Sequence, residues 1–228
     1  DKTVGGFARI ATIIKTERDK NCSGTLVVDA GDCMMGTLFH SMEVFTGFQL
    51  QLMRKAGYDI VALGNHDFDF GPAKYARIVS VAASEGEIPG LLLGNVITDP
   101  NETSDDSFEE LYKDGLVRHY KIILKEGVKI GVFSVMGEDA KESAPFADPV
   151  RFSSIISASR KIVKDLKSLN CDIIICLSHS GVTLDKKGRW SGEDVELAKS
   201  VKGLDLIISG HTHTTLAKPI IINGIPIV

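Results

Sequence analysis

In Ile60-Val61-Ala62-Leu63-Gly64-Asn65-His66-Asp67, four apolar residues run straight into a glycine turn that carries an amide, an imidazole and a carboxylate. The apolar part is short and has no polar face, so it reads as a strand buried on both sides in an α/β sheet. The same design recurs three times. Val27-Val28 runs into Asp29-Ala30-Gly31-Asp32, Ile175-Cys176-Leu177 into Ser178-His179-Ser180-Gly181, and Ile207-Ile208 into Ser209-Gly210-His211-Thr212-His213. The carboxyl ends of strands line the ligand crevice of an open α/β sheet, so the four turns are expected to meet at one spot.

Helical segments alternate with these runs. Phe7, Ile10, Ala11 and Ile14 recur at i, i+3, i+4 and i+7, and Tyr75, Ile78, Val79 and Ala82 repeat that spacing after Pro72, a favoured first-turn residue. Ile155, Ile162, Leu166 and Leu169 mark a third amphipathic helix, and Val195, Ala198 and Val201 a fourth. Buried strands are predicted at residues 25–28, 60–63, 91–93, 173–177 and 206–208. Two hairpins are expected, one joining 119–124 to 128–135 and one joining 220–222 to 225–228 across Asn223-Gly224, a favoured tight-turn pair. The acidic stretch 98–107 and the basic stretch 186–189 read as surface loops.

Composition narrows the function. The 228 residues hold 26 Lys plus Arg against 30 Asp plus Glu, a net charge of −4, which argues against binding of bulk nucleic acid or an anionic membrane. No apolar run approaches the ~20 residues that span a bilayer. No basic-then-apolar leader opens at Asp1, so a targeting signal is expected to lie outside this chain. No GxGxxG opens a helix after the first strand, against a dinucleotide fold. Cys22, Cys33, Cys171 and Cys176 form no CxxC pair and are too sparse for a disulfide scaffold. Cys176 reads as a small buried hydrophobe, and Cys33, next to Asp32, as an inert or a reactive thiol.

Four of the six histidines, His66, His179, His211 and His213, fall in the strand-end turns. A lone histidine is most simply a hydrogen-bonded structural group, and His40 and His119 keep that reading. Four at equivalent strand ends, joined by Asp32 and Asn65, read as metal ligands. Asp29 and Asp67 fit two roles equally, a carboxylate behind the ligands or a brace for its own turn. Oxygen and nitrogen donors without thiolate suit Zn²⁺, Mn²⁺, Fe or Co²⁺ better than Ca²⁺ or a Cys₄ zinc. An uncharged Asn65 leaves such a site positive, as an anionic phosphoester requires. Asn95, at the end of the 91–93 run, is open to two readings, phosphate contact and a turn role.

Gly31-Asp32, Gly64-Asn65-His66-Asp67 and Gly210-His211-Thr212-His213, with His179 between them, resemble the motifs of the calcineurin-like metallophosphoesterases. The longer strings DAGD (29–32), ALGNHDFDFG (62–71), ISGHTHT (208–214) and VGGFARIATII (4–14) are similar to the branch of 5′-nucleotidases, UDP-sugar hydrolases and 2′,3′-cyclic phosphodiesterases. The resemblance implies an α/β fold, an αββα sandwich of two mixed β-sheets flanked by helices, with one catalytic domain over residues 1–228. It implies two divalent transition metals, with Asp32 bridging them, Asn65, His179 and His211 on one and His213 on the other. His66 and Asp69 match the branch's catalytic pair, the imidazolium stabilising charge on the phosphoryl or leaving oxygen. The implied reaction is in-line attack by a bridging hydroxide, between metals about 3.5–4 Å apart, on a small phosphoester, a nucleotide by resemblance. An extracytoplasmic location is implied in the same way.

One family motif has no match. An Asp-x-His that would complete the second metal is absent at Asp1-Lys2-Thr3, and a short preceding segment is expected to supply it, with low turnover expected without it. The branch's C-terminal substrate domain also has no counterpart within 1–228. A relative that binds metal or phosphate without turnover, and a hydrolase of a non-nucleotide phosphoester, are the alternatives.

Overall fold

The computed structural model describes residues 5–228, so Asp1-Lys2-Thr3 and Val4 of the first-helix string lie outside the described residues. In chain order the elements are α1 (Phe7–Lys20), β1 (Val28–Asp29), α2 (Glu43–Thr46), α3 (Phe48–Ala56), β2 (Ile60–Ala62), α4 (Pro72–Glu85), β3 (Gly90–Leu92) and β4 (Val96–Ile97). Next come α5 (Asp106–Lys113), β5 (Val117–Arg118), β6 (Tyr120–Lys125), β7 (Val128–Met136), α6 (Glu138–Glu142), β8 (Arg151–Phe152) and α7 (Ile155–Ser168). The remainder is β9 (Ile173–His179), β10 (Thr183–Leu184), β11 (Trp190–Ser191), α8 (Glu193–Ser200), β12 (Leu206–Ser209), β13 (Ile220–Ile222) and β14 (Ile225–Ile227).

Side chains of a strand point alternately to its two faces, and β2 shows what that does here. Ile60 and Ala62 pack with Leu92, Val132, Ile175 and Leu177 in an apolar layer between two sheets. Val61 and Leu63 turn the other way, to Leu50 and Met53 of α3 and Tyr75 and Ile78 of α4. A third cluster sets Ile162 and Leu166 of α7 and Val195 and Ala198 of α8 against Phe133, Ile174, Cys176 and Ile207. Helices therefore cover both outer faces, which is the expected αββα sandwich.

The sheets differ in detail from the expectation. β1, β2, β3 and β5, in that order, are parallel throughout, so only the larger sheet is mixed. Its order is β13-β14-β12-β9-β7-β6, with antiparallel pairs at both edges, β13 with β14 and β6 with β7. Both hairpins form, and Asn223 and Gly224 both take positive φ, 52° and 82°, as the tight turn requires. The four expected helices form too, although Leu169 lies just past the end of α7 as its cap and is exposed.

Other expectations fail locally for identifiable reasons. The strand expected at 25–28 begins only at Val28, because the Asp59 carboxylate accepts the Val27 N–H at 2.9 Å and Val27 O accepts from Asp59 N at 2.8 Å. The stretch 98–107 is not one loop: a turn of 3₁₀ helix at Thr103–Asp105 leads into α5, whose acidic first turn suits the helix dipole. Asp105 is buried there and accepts from Asp99 N at 3.1 Å. Helix α3 is legible only in the structure, since buried Gln49 interrupts its apolar stripe.

Candidate functional site

The carboxyl ends of β1, β2, β9 and β12 bring Asp32, Asn65, His179 and His211 together. One donor atom from each of Asp32, His179 and His211 lies within 4.8 Å of the other two. Asp32 Oδ2 is 3.0 Å from His179 Nε2, and Asn65 Oδ1 is 3.1 Å from both His179 Nε2 and His211 Nδ1. The outer ring nitrogens are engaged elsewhere. His179 Nδ1 donates to Ala30 O at 2.7 Å, and His211 Nε2 donates to Asp139 Oδ2 at 2.9 Å. A carbonyl and a carboxylate only accept, so in neutral imidazoles the protons sit on these outer nitrogens. The inner nitrogens then present lone pairs, as do Asp32 and Asn65, and four acceptor atoms converge.

Such a set needs positive charge at its centre, and its oxygen and nitrogen donors fit a divalent transition metal. Without one, a proton serves. Burial is the largest single influence and opposes the imidazolium of His179, but the hydrogen bond and charge of Asp32, with the Ala30 carbonyl and the Asp67 charge, together outweigh it and the pKa stands above the usual histidine value. Burial likewise opposes the Asp32 carboxylate, yet its bond to His179 and the His66 N–H hold its pKa below the ordinary value.

The backbone is strained where these side chains are aimed. Asp32, His211 and His213 take φ of 66°, 69° and 52°, a region that non-glycine residues rarely occupy. Gly31 is also left-handed, at 109°, as a sharp turn demands. Gly64 is not: its φ is −115°, and glycine is needed because a Cβ there would collide with Asp32 Oδ1 and the His179 ring. Close approach, rather than turning freedom, explains that residue.

His66 follows Asn65 and points outward, its side chain 48% exposed. Asp69 Oδ2 lies 2.8 Å from His66 Nδ1 and, as the main cause, raises the histidine's pKa. The His66 N–H donates to Asp32 Oδ1 at 2.8 Å, so the exposed imidazole is tethered to the cluster through its own backbone. Asp29 accepts from Gly31 N at 2.9 Å and Asp67 from Gly64 N at 2.7 Å, so both brace their turns. Burial pushes Asp67 up to about 7 and Cys33, 3.8 Å from Asp67, well above a normal thiol, so Cys33 is not a reactive thiolate. His40 is a brace as well, accepting from Thr37 N at 3.1 Å.

Two predicted residues stand apart from the cluster. His213 borders, with Asp32, His179 and His211, a cavity of about 260 Å³, but it is exposed and lies outside the close donor group. Asn95 is a correction. It is 1% exposed, its Nδ2 donates to Met136 O and Ser153 O at 2.8 Å each, and its Oδ1 accepts from Met136 N at 2.9 Å. Its amide is fully committed to joining backbone segments and has nothing left for a phosphate. Asp139, conversely, touches His211 and was not singled out by sequence. The signal was present: β7 is a fifth apolar strand ending in a glycine turn with a carboxylate, Gly137-Glu138-Asp139.

Comparison with known proteins agrees with this geometry. A family model described as calcineurin-like phosphoesterase matches residues 3–215. The chain is 33% identical over 216 residues to a snake venom 5′-nucleotidase from Gloydius brevicauda, covering 93% of this chain and 32% of that protein. It is 32% identical over 219 residues to a 5′-nucleotidase from Bos taurus, covering 94% of this chain and 34% of the relative. The chain thus spans about a third of the length of these relatives. The crystal structure of the calcineurin-like phosphoesterase YfkN from Bacillus subtilis superposes with a TM-score of 0.72 at 25% identity, over 100% of this chain and 74% of that one. With the family model spanning most of its length and the strand ends converging as described, the chain belongs to the calcineurin-like phosphoesterase family.

Proposed function

We propose that residues 1–228 act as one metallophosphoesterase catalytic unit that hydrolyses nucleotide phosphoesters. The observation that carries this reading is the convergence of four atoms able to ligate a cation, from Asp32, Asn65, His179 and His211, at spacings of 3.0–3.1 Å. In this reading Asp32, Asn65, His179, His211 and His213 would hold two divalent cations of the Zn, Mn, Fe or Co class. Bound there, the cations supply Lewis-acid charge and a nucleophilic water at neutral pH. The nucleotide class is supported by the relatives named as 5′-nucleotidases, and an extracytoplasmic location by the venom origin of one of them.

The chain's own residues do the rest. Ala30 O fixes which face of His179 looks inward, and Asn65 contributes a neutral oxygen that leaves the site positive. His66, held by Asp69 and favoured as the imidazolium, presents a cation to solvent next to the cluster. There it can donate to a phosphoryl oxygen or to the departing oxygen as negative charge builds.

The test pairs metal analysis with product detection for hydrolysis of nucleoside monophosphates (phosphate released), 2′,3′-cyclic nucleotides (a nucleoside monophosphate formed) and nucleotide sugars (a nucleotide formed), for the wild-type protein and His66→Asn. Metal content is expected to persist in the variant while kcat falls on the order of 10²–10⁴-fold. Equal turnover removes His66 from the chemistry. A protein that retains no metal, or hydrolyses none of these esters when loaded, overturns the hydrolase reading.

A further inference from the structure

The turn that follows β7 is held in place more elaborately than its exposure would suggest. Met136 lies opposite His179 across the β7–β9 pair, and Gly137 N donates to His179 O at 3.0 Å, so the two turns run side by side. Gly137 has to be glycine, because a Cβ would strike the Glu193 carboxylate and Ser180 Cβ. That Glu193 carboxylate, at the start of α8, accepts the backbone N–H of Glu138 with both oxygens at 2.9 Å and that of Asp139 at 3.3 Å. The backbone of Glu138 and Asp139 is thereby pinned from another helix. From this anchored position Asp139 sends its carboxylate to His211 Nε2 at 2.9 Å, although its side chain is 72% exposed and lies outside every apolar core cluster.

We infer that Asp139 is a positioning residue for His211, accepting from Nε2–H so that Nδ1 stays unprotonated and aimed at the inner cluster; this rests on the cation reading of the site. A neutral imidazole can carry its proton on either nitrogen. An acceptor 2.9 Å from Nε2 selects one tautomer and fixes the ring's rotation, leaving Nδ1 3.1 Å from Asn65 Oδ1. Carboxylates behind metal-bound histidines act in this manner, and their removal typically weakens metal binding 10–100-fold. Glu193 stands one step further back, acting on Asp139 only through the backbone of the turn.

The experiment uses Asp139→Ala, Asp139→Asn and Glu193→Gln. Mn²⁺ is titrated calorimetrically into the metal-free proteins, their melting temperatures are compared without metal, and the His211 tautomer is read from ¹⁵N–¹H correlations. Asp139→Ala is expected to weaken Mn²⁺ binding about 10–100-fold and to mix the His211 tautomers, with the metal-free melting temperature within about 2 °C of wild type. Asp139→Asn, whose amide oxygen still accepts, is expected to keep the Nε2–H tautomer and recover part of the affinity, and Glu193→Gln to give a smaller loss. Wild-type affinity and tautomer in Asp139→Ala overturn the inference, as does a loss of binding that merely follows a collapse in melting temperature. If wild-type protein binds no Mn²⁺, the cation reading fails on its own, and a mixed tautomer in that protein overturns the Asp139 role separately.

Discussion

His179 and His211 leave the six-stranded sheet among locked hydrogen bonds, whereas Asp32 leaves the four-stranded sheet beside a surface that is barely packed. On the first side Asp194 is fully buried and accepts from Ser180 Oγ at 2.8 Å, Ser209 Oγ at 2.5 Å and Gly181 N at 3.1 Å. One carboxylate thus ties the end of β9 to the end of β12. On the second side β1 is two residues long, and the stretch after Asp32 exposes Met35, Leu38, Phe39, Met42 and Phe45. Two sheets feed one site, and although Asp29 and Asp67 brace the turns that carry Asp32 and Asn65, the segment that follows Asp32 is far less packed than the ends of β9 and β12. Asp32 instead depends on its partners across the site, His179 and the His66 N–H.

The comparison breaks most visibly at Asp194. Asp194→Ala strands two hydroxyls and an N–H in the core, and a loss of about 3–5 kcal/mol is expected in urea denaturation. Burial raises the Asp194 pKa, opposed by its hydroxyl and N–H donors, so Asp194→Asn is the milder test of geometry against charge. If Asp194→Ala melts like wild type, the six-stranded side is not the firmer one.

A second test falls on the loose side, at a deeply buried acid of the segment that follows Asp32. Glu43 in α2 is fully enclosed, and both its oxygens take the Gln49 N–H, at 3.2 and 3.3 Å. Burial pushes its pKa up to about 7 from 4.5, the Gln49 bond only partly opposing. A carboxyl whose folded pKa is raised favours the protonated fold, so its contribution is full below about pH 4.5 and is lost as pH climbs through about 7. The drop from pH 5 to pH 8 is expected to be of the order of 2–3 kcal/mol. Glu43→Gln should flatten that part of the stability profile, raising the melting temperature at pH 8 more than at pH 5. An unchanged profile would show that Glu43 ionises in the fold without penalty.

How much of this was legible in the sequence follows the range of the interactions. An apolar run ending in a glycine turn is a local signal, and it placed Asp32, Asn65, His179 and His211 at strand ends that do meet. The pairing of His66 with Asp69 is local too, three residues apart on a short 3₁₀ turn. Asp139 meets His211 across 72 residues, and with β7 read as a hairpin partner the glycine turn at its far end, Gly137-Glu138-Asp139, went unused although it carries the same local signal. Asp194 carried no local signal, because its hydroxyl partners lie on two other strand ends. Asn95 misled for the complementary reason. It sits at a strand end as a ligand would, but the neighbouring β7 and β8 backbones claim its amide first.

The smallest effect is expected where the packing is thinnest. Leu38 begins the 3₁₀ turn Leu38–Met42 and is 88% exposed, so Leu38→Ser removes almost no buried apolar surface. Serine also lacks any buried position there that would leave its hydroxyl unpaired. A stability change within about 0.5 kcal/mol is therefore expected, far below the Asp194 effect. A loss of 2 kcal/mol or more at Leu38, on the scale of a buried leucine, would mean that this stretch is covered in solution. The contrast between firmly and thinly packed surroundings of the site would then have to be withdrawn, and Asp32 would count as firmly seated as His179.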